Sequence, residues 1–126
     1  MDPTLTLTAA TPAGASAYLV TVAPDGRPHA TPTTAVVRDA TAVAATPLGR
    51  RTRTNLEAGS AVTVLWSPAD DGYTLIVDGI AEVHDDMVVI RPTRAVLHRP
   101  LPEQSSGSGA EPDGSCAADC LEIALP

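Results

Sequence analysis

Residues 16–37 read SAYLVTVAPDGRPHATPTTAVV, and their reading decides the fold. The stretch SAYLVTVA (16–23) is rich in β-branched and aromatic residues and predicts a strand. Pro24, Asp25 and Gly26 carry turn chemistry, with the glycine free to take a positive φ. HATPTTAVV (29–37) is then the return strand. Pro32 has no N–H for the ladder and marks a bulge or an unpaired edge. RDA (38–40) predicts a second tight turn and TAVAAT (41–46) a third strand. The first half of the chain is thus a three-stranded meander.

Beyond it, LGRRTRTNLEAGS (48–60) loses the period of two. Arg, Leu, Glu and Ala favour a helix, and Gly59 stands where a C-terminal glycine cap belongs, so a short helix is expected at about 50–58. AVTVLW (61–66) predicts a fourth strand, SPADDG (67–72) a turn, and YTLIVDGIAEVH (73–84) a long fifth strand. In that strand Tyr73, Leu75, Val77, Gly79, Ala81 and Val83 share the apolar or small face expected to meet the core. The other face carries Thr74, Ile76, Asp78, Ile80, Glu82 and His84. Its half-apolar character suggests a second packed surface, such as a dimer contact. MVVIRP (87–92) and RAVLH (94–98) read as a sixth strand, or as a strand followed by a turn of helix.

The ends are less regular. Residues 1–15 are rich in Thr, Ala and Pro and read as a loose arm or a weak edge strand. PLPEQSSGSGAEPDGS (100–115) reads as a flexible linker. The tail CAADCLEIALP (116–126) turns apolar again and could dock as a last strand. Many short strands with turn signals every ~8–12 residues point to an all-β sandwich or barrel, with one helix inserted after the third strand.

Composition bounds the function. The chain has 126 residues, 44% of them apolar, enough for one domain with a core. It has no Phe, one Trp and two Tyr, so burial per core position is modest, and an oligomer interface or a bound ligand is expected to help. A net charge of −7 argues against broad binding of nucleic acid or anionic membrane. The N-terminus shows neither a basic n-region nor a long apolar run, so a cytoplasmic protein is expected.

Against that acidic background, Arg50, Arg51 and Arg53 fall within four positions. They sit in the first turn of the predicted helix, where the backbone already presents partial positive charge. Each arginine there costs a few tenths of a kcal/mol, up to about 1. An anion reverses the sign of every one of these terms, because the guanidinium forks and the free amides both donate to phosphate. Thr52 and Thr54 could add hydroxyl donors. The alternative is a solvated basic turn paired with some of the 15 acids.

The order of these features resembles the pyridoxamine 5′-phosphate oxidase-like, flavin-binding split-barrel family. The stretches that carry the resemblance are YLVTVAPDGRPHATPTTAVV, AVAATPLGRRTRTNLEAGSAVTVLW and YTLIVDGIAEV, over about residues 16–84. The resemblance implies a mainly β, six-stranded antiparallel split barrel of Greek-key type over residues 1–99, with one short inserted helix. The linker 100–115 and the Cys-containing tail 116–126 follow it. It implies a homodimer with FMN in the groove between subunits, or an 8-hydroxy-5-deazaflavin coenzyme in some branches. By similarity Thr31, Thr33 and Thr34 would border the ring, and Ala45, Thr46 and Pro47 the ribityl chain. Arg50, Arg51 and Arg53 would hold the phosphate, Asn55 would fix the helix, and Trp66 of the second copy would close the site. Many members carry Lys at the position of Thr52. The C-terminal Trp- and Arg-bearing motif of true pyridoxamine phosphate oxidases is absent.

The activity implied is that of a flavin-dependent oxidoreductase acting on a small-molecule substrate. A cofactor-free split-barrel binding protein is the alternative from another class. No side chain is an obvious acid or base, and His29 is the nearest candidate by position. Cys116 and Cys120 read as free thiols or as a redox-active or intersubunit disulfide. A metal site shared with His84 or His98 would have only half of a zinc ligand set from these cysteines. Asp78, Glu82 and His84 share a strand face that reads as solvated or dimer-contacting.

Overall fold

The hairpin of the opening stretch forms as β1 (Ser16–Val22) and β2 (Pro28–Asp39), with Tyr18 opposite Pro32 and Leu19 opposite Thr31. The computed structural model that shows it describes residues 5–12, 14, 16–100 and 118–126. β3 (Ala42–Thr46) completes the meander against β2. Asp39 turns the chain between them: it accepts from the Thr41 amide and hydroxyl at 2.7 and 2.6 Å. The hydroxyl bond chiefly holds its pKa below the ordinary carboxylate value.

After α2 (Arg50–Glu57), β4 (Val62–Trp66) returns to the other edge of β1. β5 (Thr74–His84) and β6 (Met87–Pro100) follow as a long hairpin. β6 also pairs with β3, Val43 opposite Ile90, and this closes six antiparallel strands into a barrel. The inward alternation is the one expected for β5, with Leu75, Val77 and Gly79 buried and Ile80, Glu82 and His84 exposed. β4 alternates too, so Val62, Val64 and Trp66 all enter the core. Trp66 is only 1% exposed, and its indole N–H donates to the Ala35 carbonyl at 3.3 Å. It supplies much of the bulk that a Phe-free core lacks.

At Gly79 the backbone of β6 leaves no room for a side chain. A Cβ there would lie 2.5 Å from both the Arg91 carbonyl oxygen and Ile90 Cγ2. The register slips at that point, between Asp78 and Gly79. A bulge of this kind bends a strand pair, as barrel closure requires.

The structure decides between two readings of the sixth strand and corrects two expectations about the N-terminal region and the number of helices. Residues 94–98 form no turn of helix. β6 is one strand, and its far half pairs with β5 on one side and with β7 (Ala118–Glu122) on the other. β7 is thus a seventh strand outside the six that close the barrel. The N-terminal region is neither loose nor an edge strand within its described part. It forms α1 (Leu7–Ala10), so the described residues hold two short helices. Thr6 caps α1 by accepting the Ala9 amide at 3.2 Å. Leu7 is fully buried in the core that also holds Ile123, and the Leu5 carbonyl accepts the Ala124 amide. These partners are more than a hundred residues away, so no local signal announces the helix. Most of the expected linker, and Cys116, lie outside the described residues.

Candidate functional site

α2 begins at Gly49, an N-cap residue with extended backbone and no side chain to accept a hydrogen bond. A Ser, Thr, Asp or Asn there would occupy one of the first-turn amides. Glycine leaves those donors to an outside acceptor. At the other end Gly59 takes φ +97°, with the Ser60 amide bonded to the Asn55 carbonyl and the Gly59 amide to that of Leu56. This is a Schellman stop, as the sequence predicts.

Four contacts fix α2 on the barrel. Asn55 is buried and donates from Nδ2 to Thr21 Oγ1 at 3.0 Å. Ser60 Oγ accepts the Val22 amide at 2.9 Å. The Leu48 amide donates to the Asp86 carbonyl at 3.0 Å, and the Arg53 guanidinium donates to the Asp85 carbonyl. The β5–β6 turn, in which Asp85 takes φ 55°, thus holds the start of the helix.

Held this way, α2 faces the β1–β2 turn across a groove of about 650 Å³ lined by Arg50, Arg51, Thr54, Asn55, Ala23 and Pro24. That size lies within the range of about 300–1,000 Å³ usual for small-molecule sites. A second cavity of about 190 Å³ adjoins it, sharing Ala23 and Arg51 and adding Asp25, Arg27, Pro28 and His29.

The structure sorts the sequence-predicted site residues. Arg50 and Arg51 are exposed and open on the groove. Arg53 instead spends its guanidinium on the Asp85 carbonyl and anchors the helix. Thr54 donates to the Arg50 carbonyl at 3.1 Å, so its hydroxyl proton is committed within α2. Thr52 is 1% exposed and its Oγ1 is unpartnered among the described residues, so it offers no donor to the groove. On β2, Thr31 and Thr33 lie on the inward side, and Thr33 donates to the Thr46 carbonyl at 3.0 Å. Thr34 is exposed and pairs across the strands with the half-buried Thr46. Trp66 lies inside the barrel, 1% exposed among the described residues. His84 meets Glu82 at 3.2 Å on the exposed outer face, and Cys120 Sγ lies 3.5 Å from His98 Nδ1 across β6 and β7.

Sequence reasoning missed the part played by Ala23, Pro24 and Arg27. The Pro-Asp-Gly turn was legible, but not that its tip lands beside α2.

The comparisons agree with this architecture. The profile of the pyridoxamine 5′-phosphate oxidase family matches residues 8–110. The chain belongs to that family. Uncharacterized proteins of Mycobacterium bovis and Mycobacterium tuberculosis are each 36% identical to it over 136 residues, covering 95% of this chain and 93% of theirs. Among solved structures, a Clostridium acetobutylicum protein related to general stress protein 26 of B. subtilis, of the pyridoxinephosphate oxidase family, superposes with a TM-score of 0.59. It is 12% identical and covers 86% of each chain. An F420 reductase superposes with a TM-score of 0.51 at 19% identity, covering 65% of this family member and 89% of the reductase. At such identities these structures show the fold. Among the described residues, no helix of this pyridoxamine 5′-phosphate oxidase family chain is long and apolar enough to cross a membrane.

Proposed function

We propose that this chain is a flavin-binding oxidoreductase that works as a homodimer and holds the FMN phosphate at Arg50 and Arg51. The observation that carries the reading is the uncapped start of α2, where two exposed arginines open on a cofactor-sized groove. The donor set suits a phosphate: two guanidinium forks supply paired N–H donors, and the first-turn amides of an uncapped helix add partial positive charge. When bound, the flavin supplies the hydride or electron transfer. The protein's own residues bind and orient it. Asn55, with Thr21, and Arg53, with Asp85, keep the helix start in place, and Thr33 fixes the end of β3 through the Thr46 carbonyl.

Riboflavin tests this directly, because it keeps the ring and loses the phosphate. It is expected to bind at least tenfold more weakly than FMN, about 1.4 kcal/mol. Equal affinities in a fluorescence titration would remove the phosphate from this site.

A second copy of the chain is the partner. Pro32, Tyr18, Leu65 and Ile76 stand opposite one another across β2, β1, β4 and β5, forming an apolar row on the outer face. Tyr18, at its centre, is 48% exposed. A contiguous apolar row on a sheet face marks an interaction surface. Tyr18→Glu combined with Ile76→Glu is expected to give monomers in sedimentation velocity at concentrations where the parent is dimeric. A parent that is monomeric throughout contradicts the proposal.

A further inference from the structure

Cys120 and His98 stand directly opposite each other across β7 and β6, with Cys120 Sγ 3.5 Å from His98 Nδ1. Cys120 is exposed and His98 is half-buried. From this pairing we propose that Cys120 is a reactive thiol that forms mixed disulfides with low-molecular-weight disulfides, and that His98 takes its proton. The site stands apart from the flavin groove. The pair lies beside Thr74 at the start of β5, whereas α2 is held by the turn that follows the end of that strand.

A thiol is a strong nucleophile only as its thiolate, and an imidazole within hydrogen-bond reach stabilises that form as an ion pair. The fold keeps the two groups within reach. The Ile123 amide donates to the Ala95 carbonyl and the Ala124 amide to the Leu5 carbonyl, both at 3.0 Å, and Ile123 is buried. β7 is thus anchored just beyond Cys120. Strand alternation sets the pair on the outer face, away from the core that Leu75, Ala95 and Ile123 fill. On that outer face Thr74 stands opposite His98, and Val96 and Glu122 stand opposite each other next along the strands. Glu122 is exposed, and the charge of Arg94, further along β6, is matched by Asp78 at 3.4 Å. Among the described residues it is the His98 ring that meets the thiol.

In the exchange the Cys120 thiolate attacks one sulfur of the small disulfide. A bond forms between those two sulfurs and the old sulfur–sulfur bond breaks. The departing thiolate takes the proton held on His98. The Cys120 sulfur is oxidised, and the released half is reduced to a thiol.

The test uses the full chain carrying Cys116→Ser, which leaves Cys120 as its one thiol. Its reaction with dithiobis-nitrobenzoate is followed by the coloured thiol released. Glutathione disulfide is expected to add a single glutathione by intact mass, removable with dithiothreitol. His98→Gln is expected to slow the coloured reaction about fivefold or more at about pH 7, and to leave it within about twofold at about pH 10, where any thiol is ionised. Thr74→Val changes a neighbour of His98 without touching the pair and is expected to keep the parent rate at both pH values. A rate at neutral pH that ignores His98→Gln overturns the proposal, as does the absence of a glutathione adduct. So does equal slowing at both pH values, or the same slowing in Thr74→Val, since either assigns the effect to the seating of β7 rather than to the proton.

Discussion

Replacing Arg50 and Arg51 together with alanine is expected to weaken FMN binding about a hundredfold. Each side chain opens on the groove beside the uncapped start of α2. A hydrogen bond to a charged group is worth roughly 1.5–3 kcal/mol, and exposed groups sit at the low end. Two such losses come to about 3 kcal/mol, and every 1.4 kcal/mol is a factor of ten. The fold should survive, since neither side chain is buried and the helix keeps its contacts through Asn55, Arg53 and Leu48. Titration with FMN, paired with an unfolding curve, separates the two effects. Unchanged affinity in a folded double variant would reject the site. Arg53→Ala makes the contrast: its guanidinium holds the Asp85 carbonyl, so its loss is expected to lower stability as well as affinity.

The second large effect belongs to the core. Trp66→Ala is expected to cost about 3–5 kcal/mol of folding stability, the usual range for emptying a buried aromatic site. Domains of this size are stable by about 5–15 kcal/mol, so the variant would be marginal. The cost falls at the upper end here for two reasons. Ala17, opposite it, and Ala35, which accepts its indole N–H, are too small to fill the space. The Ala35 carbonyl also loses its indole donor. Denaturant unfolding measures the change. A loss below about 1 kcal/mol would mean that Trp66 does not fill the barrel.

Trp66 also shows what the sequence could and could not say. Its alternation with Val62 and Val64 in VTVLW is a core signal in its own right, and the side chain is buried as that alternation predicts. The same period of two made the opening hairpin and the buried face of β5 legible. The helix was legible from its lost alternation and its glycine stop. The fates of the three arginines were not. Which of them meets a ligand depends on where the β5–β6 turn lands, some thirty residues away, and that turn takes Arg53. Thr52 and Thr54 were illegible for a related reason. A hydroxyl in a helix can serve the site or the helix, and only packing decides between them. α1 depends on burying Leu7 in the core that also holds Ile123 of the far terminus, a placement with no local trace.

Under the proposed function this groove binds a flavin through its phosphate. The most direct measurement is a titration of the purified protein with FMN and with the deazaflavin coenzyme, followed by visible absorbance and fluorescence. The expected result is saturable binding of at least one of them, with an affinity that falls when Arg50 and Arg51 are removed. A colourless protein that binds neither would contradict the account and leave the barrel as a cofactor-free binding module.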